Sequence, residues 1–234
     1  MKVALVCGGS GSIGQAIVKT LEFLNFKTVI CDIKEPRRKT DFFVNADLTS
    51  EISVKKVISY TNDKFGRIDV LVNCQGAYLL DRIENTDPDQ YRSMMSTNST
   101  SVFLTCKYVI PLMKWQKSGY IVNIASMSGL IGAAGKTAYC ASKFAVVGLS
   151  ECLNEELRNT DVRISAVCPA SVDTKLTGNE NLLTKKEIEK LLKPEDVARV
   201  VAELVTSKAR VRRVIVPIEG SLKLDKLALK EMKS

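Results

Sequence analysis

The stretch from Val6 to Val18, VCGGSGSIGQAIV, joins the end of an apolar run to the beginning of an amphipathic segment. The run, Lys2 to Cys7, is rich in valine and is typical of a buried strand, whereas the segment Ser12 to Leu24 has the period of a helix. Between them, three glycines fit the GxGxxG pattern: Gly9, Gly11 and Gly14. A strand, a glycine-rich turn and a helix in this order predict the opening unit of a doubly wound parallel sheet.

The glycine-rich turn also predicts a phosphate site. Glycine lets the backbone turn tightly and approach a pyrophosphate, which the amides and the positive end of the helix then hold. We expect the following residues to line it: Gly8, Gly9, Ser10, Gly11, Ser12, Ile13 and Gly14. The alternative is a plain glycine-rich turn, which the strand and the helix on either side make less favoured.

An acidic residue at the end of the second predicted strand bears on the choice of dinucleotide. Asp32 lies 18 residues after Gly14, where a carboxylate accepts hydrogen bonds from an adenosine ribose and repels a 2′-phosphate. This favours NAD(H). NADP(H) stays open, because Lys34, Arg37 and Arg38 follow and would reach a phosphate if the loop folded back.

Strand-like segments alternate with longer amphipathic segments along the whole chain, which is typical of βαβ units. The predicted strands are Lys2 to Cys7, Lys27 to Asp32, Asp41 to Asn45, Ile68 to Asn73, Gly119 to Ala125, Arg163 to Cys168 and Arg212 to Pro217. The predicted helices are Ser12 to Leu24, Ser50 to Lys64, Pro88 to Lys117 with a break, Thr137 to Asn159 and Pro194 to Ser207. The fold class is therefore α/β: one Rossmann-like parallel sheet of seven strands with helices on both faces, forming a single domain over residues 1–234.

Composition narrows the function classes. The chain of 234 residues contains no histidine, which excludes a Ser-His-Asp triad and the usual histidine-containing zinc sites, and we expect no metal. Its seven scattered cysteines indicate reduced thiols and a cytoplasmic location, and no apolar run approaches the roughly 20 residues of a membrane span. The net charge of +8 is spread along the chain with few aromatic residues, so nucleic-acid binding is not expected.

A serine, a tyrosine and a lysine provide candidate catalytic groups. Ser126 follows the buried strand-like run GYIVNIA, and the carboxyl ends of such strands are where open α/β sheets bind ligands. Tyr139 comes 13 residues later, and Lys143 lies four residues beyond it on the same helix face. A nearby ammonium favours the phenolate and so lowers the pKa of the phenol, which makes Tyr139 a general acid/base that needs no histidine. On its own the pair is also a common feature of ordinary helices.

These motifs together resemble the short-chain dehydrogenase/reductase family over nearly the whole chain. In order they are the glycine loop, Asp32, ADL with Asp47, NCQG from Asn73 to Gly76, STN with Asn98, IVNIAS ending at Ser126, YCASK from Tyr139 to Lys143 and VCPASVDT ending at Thr174. The resemblance implies an oxidoreductase that transfers a hydride between a nicotinamide and a carbonyl or secondary alcohol.

The resemblance also implies roles for individual residues. Tyr139 would exchange a proton with the substrate oxygen that Ser126 orients, Lys143 would hold the nicotinamide ribose, and Asn98 would support a water in a proton path. Further cofactor contacts are implied for the adenine pocket at Asp47 and Leu48, the strand end at Asn73, Cys74 and Gly76, and the carboxamide site at Pro169, Val172 and Thr174.

The chain departs from the family pattern at several positions. Cys7 replaces a threonine and Ser12 a glycine of the phosphate loop, Ala170 replaces the glycine after Pro169, and NCQG replaces NNAG. The residues 175–193 form a polar segment that is either a substrate lid or a solvated connection. The tail, 221–234, is rich in lysine and leucine and is atypical; a docked or frayed end is favoured over a membrane-surface helix.

The substrate class stays open at this point. A 3-oxoacyl thioester reductase is one expectation, and a non-catalytic NAD(H)-binding sensor or scaffold is the alternative from another class. The predicted helices Pro88 to Lys117 and Thr137 to Asn159 correspond to those that pair between subunits in the family, so the resemblance implies a homodimer or homotetramer.

Overall fold

The sheet of the protein contains seven parallel strands, the number and direction that the sequence predicts. In the computed structural model, residues 1–38, 40–174 and 189–217 are described. The strands are β1 (Lys2–Cys7), β2 (Phe26–Asp32), β3 (Phe43–Asn45), β4 (Val70–Asn73), β5 (Gly119–Ile124), β6 (Val162–Pro169) and β7 (Arg213–Val216). Their order in the sheet is β3-β2-β1-β4-β5-β6-β7, which reverses direction between β1 and β4, so the loops after these two strands diverge to opposite sides and leave a crevice at the carboxyl edge.

Helices cover both faces of the sheet. They are α1 (Ser12–Phe23), α2 (Glu51–Phe65), α3 (Pro88–Met95), α4 (Ser101–Trp115), α5 (Thr137–Glu156) and α6 (Pro194–Thr206). Short 3-10 turns lie at Ile83–Asn85 and Met127–Gly129. A π-helical turn, Ser96–Thr100, joins α3 to α4. The predicted long helix is therefore helical throughout these three elements, and its break is this change in hydrogen-bond pattern. Of the helices in the described ranges, none has both the length and the apolar character needed to cross a membrane.

Two apolar cores lie on opposite sides of the sheet because successive side chains of a strand point to opposite faces. On β1, Leu5 and Cys7 face the core shared with α2, α4 and α5, whereas Ala4 and Val6 face the core shared with α1 and α6. All four side chains are fully buried. The continuous apolar runs of the sequence therefore belong to strands covered on both faces, which is the usual condition of a parallel sheet.

The expected lid, 175–193, is described in part, and the tail, 221–234, is not described. Residues 175–188 of the expected lid and the whole tail, 221–234, lie outside the described ranges. The remaining part, 189–193, leads into α6, and Leu192 forms a parallel bridge with Val172 at the carboxyl edge of the sheet. This bridge holds the beginning of α6 beside the chain that leaves β6.

Candidate active site

The glycine loop after β1 is shaped by contacts of its own backbone. Gly8 has φ of 72°, a left-handed conformation that favours glycine, and its amide donates to the Cys31 carbonyl at 2.8 Å. A β-carbon on Gly14 would overlap the Gly8 carbonyl oxygen and lie 2.7 Å from the Gly9 α-carbon. Helix α1 therefore begins in direct contact with the loop. A β-carbon on Gly11 would meet only ordinary contact, 3.4 Å from the Gly8 oxygen, so packing within the protein does not demand glycine there.

The carboxylate of Asp32 lies next to this loop. Its Oδ2 accepts from the Ser10 amide at 3.0 Å, and its Oδ1 accepts from the Lys34 amide at 3.2 Å. The Ser10 hydroxyl is buried without a hydrogen-bond partner. The unpaired Ser10 hydroxyl and the Asp32 carboxylate thus lie at the same end of the sheet. The guanidinium of Arg38 is paired elsewhere, with Glu22 at 2.8 Å.

Buried amides form the floor of the crevice below the end of β4. Asn73 donates to the Asn123 side chain at 2.8 Å and accepts from the Thr105 hydroxyl at 2.8 Å. Gln75, which replaces the alanine of the family pattern, donates to the Ser101 hydroxyl at 3.0 Å, while its own side-chain oxygen is buried without a partner. The floor is therefore polar and fixed by side chains from β4, β5 and α4.

Other residues expected at the cofactor lie around this crevice. Asp47 is exposed, and its Oδ1 accepts from the amide and the hydroxyl of Thr49 at 2.9 and 2.8 Å; the adjacent Leu48 is buried in the core beneath. Burial raises the pKa of the Cys74 thiol to about 12, so Cys74 is a neutral packing group near neutral pH. A β-carbon on Gly76 would lie 3.6 Å from the Lys143 ammonium and 3.3 Å from the Asn98 oxygen, which places the NCQG turn against the candidate catalytic residues.

The end of β6 carries the third part of the expected cofactor site. Pro169 is the last residue of β6, and the following amide, of Ala170, donates to the Val216 carbonyl at 2.9 Å. Val172 is buried and bridges to Leu192, as noted above, and Thr174 is the last residue described before the gap. Beside them, the Lys193 ammonium donates to Asp173 at 2.8 Å, which ties the chain after β6 to the start of α6.

Ser126 and Tyr139 meet above the end of β5. Ser126 begins the 3-10 turn after the strand, and its hydroxyl accepts from the Ser128 amide at 3.1 Å. The phenol of Tyr139, in the first turn of α5, lies near enough to this hydroxyl for Ser126 to influence its pKa. The Tyr78 and Tyr139 rings pack edge to face, with centroids 4.9 Å apart and planes at 72°. The two hydroxyls therefore lie between the end of β5 and the ring of Tyr78, which forms an aromatic wall.

The pKa of Tyr139 differs from the expectation drawn from sequence. Burial raises it above the ordinary value, and the Ser126 hydroxyl acts in the opposite direction. The predicted lowering by Lys143 is thus not found in the protein without its cofactor. The two groups lie close together on one helix face, as the spacing predicts, and the pKa differs because burial disfavours the charged phenolate.

Lys143 lies one helical turn beyond Tyr139 and is only 6% exposed. Its ammonium donates to the Ile124 carbonyl at 3.0 Å and lies 5.9 Å from the centroid of the Tyr139 ring. Burial lowers the pKa of Lys143 to about 8. The ammonium therefore sits beneath the phenol, at the carboxyl end of β5, and is poised to lose its proton within a mild pH range.

Asn98 lies in the π-helical turn, and its side chain is fully buried. It accepts from the Ala77 amide at 2.6 Å and donates to the Ala77 carbonyl at 3.0 Å and to the Ser142 hydroxyl at 2.9 Å. These bonds tie the loop after β4 to α5. The side chain is therefore occupied by protein partners, so the water-supporting role expected from the resemblance would have to use the main chain of the turn.

Two neighbours of the site were missed in the sequence. Tyr78, two residues after the NCQG motif, forms the aromatic wall described above, and the Lys136 ammonium lies 5.7 Å from the centroid of its ring. Lys136 is the N-cap residue of α5 and precedes Tyr139 by three residues, a spacing that is visible in the sequence. The contact with Tyr78 is not, because it depends on how two distant loops meet.

Comparison with known proteins agrees with this architecture. The family model described as short chain dehydrogenase matches residues 2–184. An uncharacterised oxidoreductase of Staphylococcus saprophyticus is 33% identical over 209 residues, covering 84% of this chain and 88% of that relative. The ligand-free structure of aldohexose dehydrogenase from Thermoplasma acidophilum is 29% identical, with a TM-score of 0.85 and 92% of each chain covered. The structure of ElxO with NADP bound is 28% identical, with a TM-score of 0.84, covering 95% of this chain and 99% of that one.

The fold and these matches define the class of the protein, an oxidoreductase built on a Rossmann-like α/β domain. More particularly, the chain belongs to the short-chain dehydrogenase/reductase family, whose members bind NAD(P).

Proposed function

We propose that this enzyme transfers a hydride between NAD(H) and a carbonyl or secondary alcohol substrate, with Tyr139 as the general acid/base. The observation that carries the proposal is the grouping of three side chains at the end of β5: the Ser126 hydroxyl influences the pKa of the Tyr139 phenol, and the buried Lys143 ammonium lies 5.9 Å from the centroid of the phenol ring. A phenol held this way can deliver its proton to one oxygen atom, and no histidine is needed. A sensor or scaffold that only binds NAD(H) would have no use for this arrangement.

The crevice fits a dinucleotide. The glycine loop leaves no room for side chains at Gly8 and Gly14, the buried Ser10 hydroxyl lacks a protein partner, and Asp32 lies beside it. The loop amides at the start of α1 would hold the pyrophosphate. Bound nicotinamide supplies the hydride, which is chemistry that side chains do not provide.

The protein residues would then divide the remaining work. Ser126 would donate a hydrogen bond to the substrate oxygen and fix its position next to Tyr139. Tyr139 would donate its proton to that oxygen in reduction and accept it in oxidation. Lys143 would hold the ribose hydroxyls and, as a cation beneath the phenol, offset the effect of burial on the Tyr139 pKa when the phenolate forms.

Asp32 supports a preference for NAD(H) over NADP(H). Its carboxylate, which accepts the Ser10 and Lys34 amides, would accept from a ribose hydroxyl and repel a 2′-phosphate. The pairing of Arg38 with Glu22 removes one of the basic groups that would favour the phosphate.

The outer faces of α4 and α5 support a homodimer or homotetramer. Phe103 on α4 is 48% exposed and Phe144 on α5 is 45% exposed, although both rings are apolar. Burying such faces against a second copy would remove apolar surface from water. Light scattering coupled to gel filtration would give the assembled mass.

The function is tested with Tyr139→Phe, which removes the reacting hydroxyl and keeps the ring. We expect turnover of ketone and aldehyde substrates to fall by about 10²- to 10⁴-fold. Affinity for NADH, measured by nicotinamide fluorescence, should stay within severalfold of the wild type. Tyr120→Phe is the matched control, because it removes a buried hydroxyl that is bonded to Ser165 at 2.8 Å in the core.

Two outcomes would contradict the proposal. Full activity of Tyr139→Phe would show that another group moves the proton. If the wild type bound NADH but turned over no member of a panel of ketones, aldehydes, sugars, steroids and acyl thioesters, the non-catalytic alternative would be favoured instead.

A further inference from the structure

Two loops from distant parts of the sequence meet directly above the candidate catalytic residues. The chain after β4 runs through Tyr78 to Asp81, and the Asp81 amide donates to the Gly135 carbonyl at 2.8 Å. Asp81 and Lys136 then form a parallel bridge. Because these are backbone contacts, they fix where the residues at the start of α5 lie relative to the loop.

This junction places an ammonium, an aromatic ring and the phenol of Tyr139 in series. The Lys136 ammonium lies 5.7 Å from the centroid of the Tyr78 ring, within the range of a cation–π contact. The Tyr78 ring in turn packs on the Tyr139 ring at 4.9 Å. A single aromatic ring therefore separates the positive charge from the group that we propose to move the proton.

The charge on Lys136 has no acidic partner among the residues that the structure describes. Asp81, whose backbone is bridged to that of Lys136, uses its Oδ1 to accept from the Arg82 amide at 2.8 Å and the Asn85 side chain at 3.3 Å. Helix α5 begins directly after Lys136 and has no acidic residue in its first turn. A positive charge at that end is disfavoured by the helix dipole, so helix stability does not explain the lysine.

We propose that Lys136, held in place by Tyr78, binds an anionic group on the carbonyl substrate, so that the enzyme prefers oxo acids or ketone phosphates to neutral ketones. This inference rests on the proposed function and extends it to the class of substrate. A carboxylate and a phosphate share the chemistry that a lysine recognises, namely a compact anion that accepts charge-assisted hydrogen bonds.

The geometry also limits the shape of such a substrate. Its carbonyl oxygen would lie at Ser126 and Tyr139, while its anion would lie on the far side of the Tyr78 ring. Because the Tyr78 ring lies between the two groups, a substrate whose carbonyl and anion are separated by a few carbon atoms fits better than one in which they are adjacent, as in a 2-oxo acid. Lys136 binds the substrate in this proposal, whereas Tyr78 is a positioning residue that keeps the ammonium and the phenol apart.

The experiment compares matched acid and ester substrates. The probes are 2-oxopentanoate, 3-oxopentanoate and 4-oxopentanoate, each against its methyl ester, and dihydroxyacetone phosphate against dihydroxyacetone. For the wild type we expect kcat/KM to favour the anion of at least one pair by about 10- to 100-fold, the effect of one charge-assisted hydrogen bond. The best pair identifies whether the anion is a carboxylate or a phosphate.

Lys136→Met should abolish this preference by lowering kcat/KM for the anion, with little change for the neutral partner. Lys64→Met is the matched control: Lys64 also packs on an aromatic ring, 5.1 Å from the centroid of Phe42, but on the outer surface of α2. Tyr78→Ala should reduce the anion-to-neutral ratio and Tyr78→Phe should keep it, because the positioning effect requires the ring and not its hydroxyl.

Binding measurements separate this inference from the proposed function. Nicotinamide fluorescence of the NADH complex reports ligand binding in Tyr139→Phe, where turnover is suppressed, and in the double variant with Lys136→Met. Anions that bind the first about tenfold more tightly than the second support the inference even if no pair is reduced. Equal kcat/KM for anion and ester in the wild type, or a preference that Lys136→Met leaves intact, would overturn it while leaving the proposed function standing.

Discussion

Lys143→Met should make the protein more stable at neutral pH although it removes a residue that the proposed reaction needs. Lys143 is 6% exposed, and burial lowers its pKa to about 8 from 10.5. Since one pKa unit corresponds to about 1.4 kcal/mol, the charged side chain costs the folded state about 3 kcal/mol. Methionine has a similar length and no charge. Losing the hydrogen bond to Ile124 offsets the gain by about 1–2 kcal/mol, so a net stabilisation of about 1–2 kcal/mol is expected.

The pH dependence of this effect has a definite sign. Below pH 8 the lysine is charged in both the folded and the unfolded chain, so the wild type bears the full cost of burial. Between the folded pKa of about 8 and the unfolded value of 10.5, the unfolded chain binds more protons than the folded one. The stability of the wild type therefore rises with pH in this interval relative to the variant, and the difference between the two narrows.

Urea denaturation of the protein without cofactor, at several pH values from 6.5 to about 10, measures both effects. Lys64→Met is the control, because it removes an exposed ammonium that water solvates in both states. The other titratable groups are the same in wild type and variant, so their effect on the free energy of unfolding cancels in the difference between the two proteins. A variant less stable than the wild type at pH 7, or a difference that stays constant up to pH 10, would refute the assignment of a burial cost to Lys143.

Two further substitutions test the cofactor crevice. Asp32→Ala removes the carboxylate beside the Ser10 amide, so we expect NAD affinity to fall about 10-fold or more and the ratio of NADP to NAD affinity to rise; unchanged selectivity in paired titrations would count against Asp32. Gly14→Ala forces a methyl group onto the Gly8 carbonyl, which should lower the free energy of unfolding by about 1–3 kcal/mol. This loss exceeds the roughly 1 kcal/mol by which alanine stabilises a helix relative to glycine. Gly11→Ala, whose β-carbon has ordinary contacts, should change the stability by less than about 1 kcal/mol; equal denaturation midpoints for the two alanine variants would show that the loop adapts freely.

The parts of the fold that follow local patterns could be predicted from the sequence. Strand β1 was predicted with its observed bounds, because a short apolar run followed by glycine has few other interpretations. The π-helical turn between α3 and α4 was not, since the sequence around it suits an ordinary helix. In the structure Ser101 donates its hydroxyl to the Thr97 carbonyl and accepts from Gln75, a residue 26 positions away. A hydrogen-bond pattern that depends on a distant side chain leaves no local signal.

The candidate site likewise has local features that the sequence predicts and contacts between distant loops that it does not. The spacing of Tyr139 and Lys143 on one helix face is a local property, and the structure keeps it. The direction of the Tyr139 pKa depends instead on how much water the surrounding loops exclude, and here burial outweighs the effect expected from a neighbouring charge. The contact of Lys136 with Tyr78 likewise depends on the backbone bridge between two loops, so the sequence does not predict that either residue belongs to the site.

A single buried amide links these parts of the site. Asn98 accepts from and donates to Ala77, the residue before Tyr78, and also donates to Ser142, the residue before Lys143. One side chain therefore fixes both the aromatic wall on Tyr139 and the ammonium beneath it. The carboxamide of Asn98 supplies one acceptor and two donor hydrogens on a side chain of this shape, whereas an ionised aspartate of the same shape has no donor for the Ala77 carbonyl or the Ser142 hydroxyl. Since an unpaired charge in a fully buried position is costly, the geometry around Tyr139 requires asparagine for its hydrogen bonds as well as for its size.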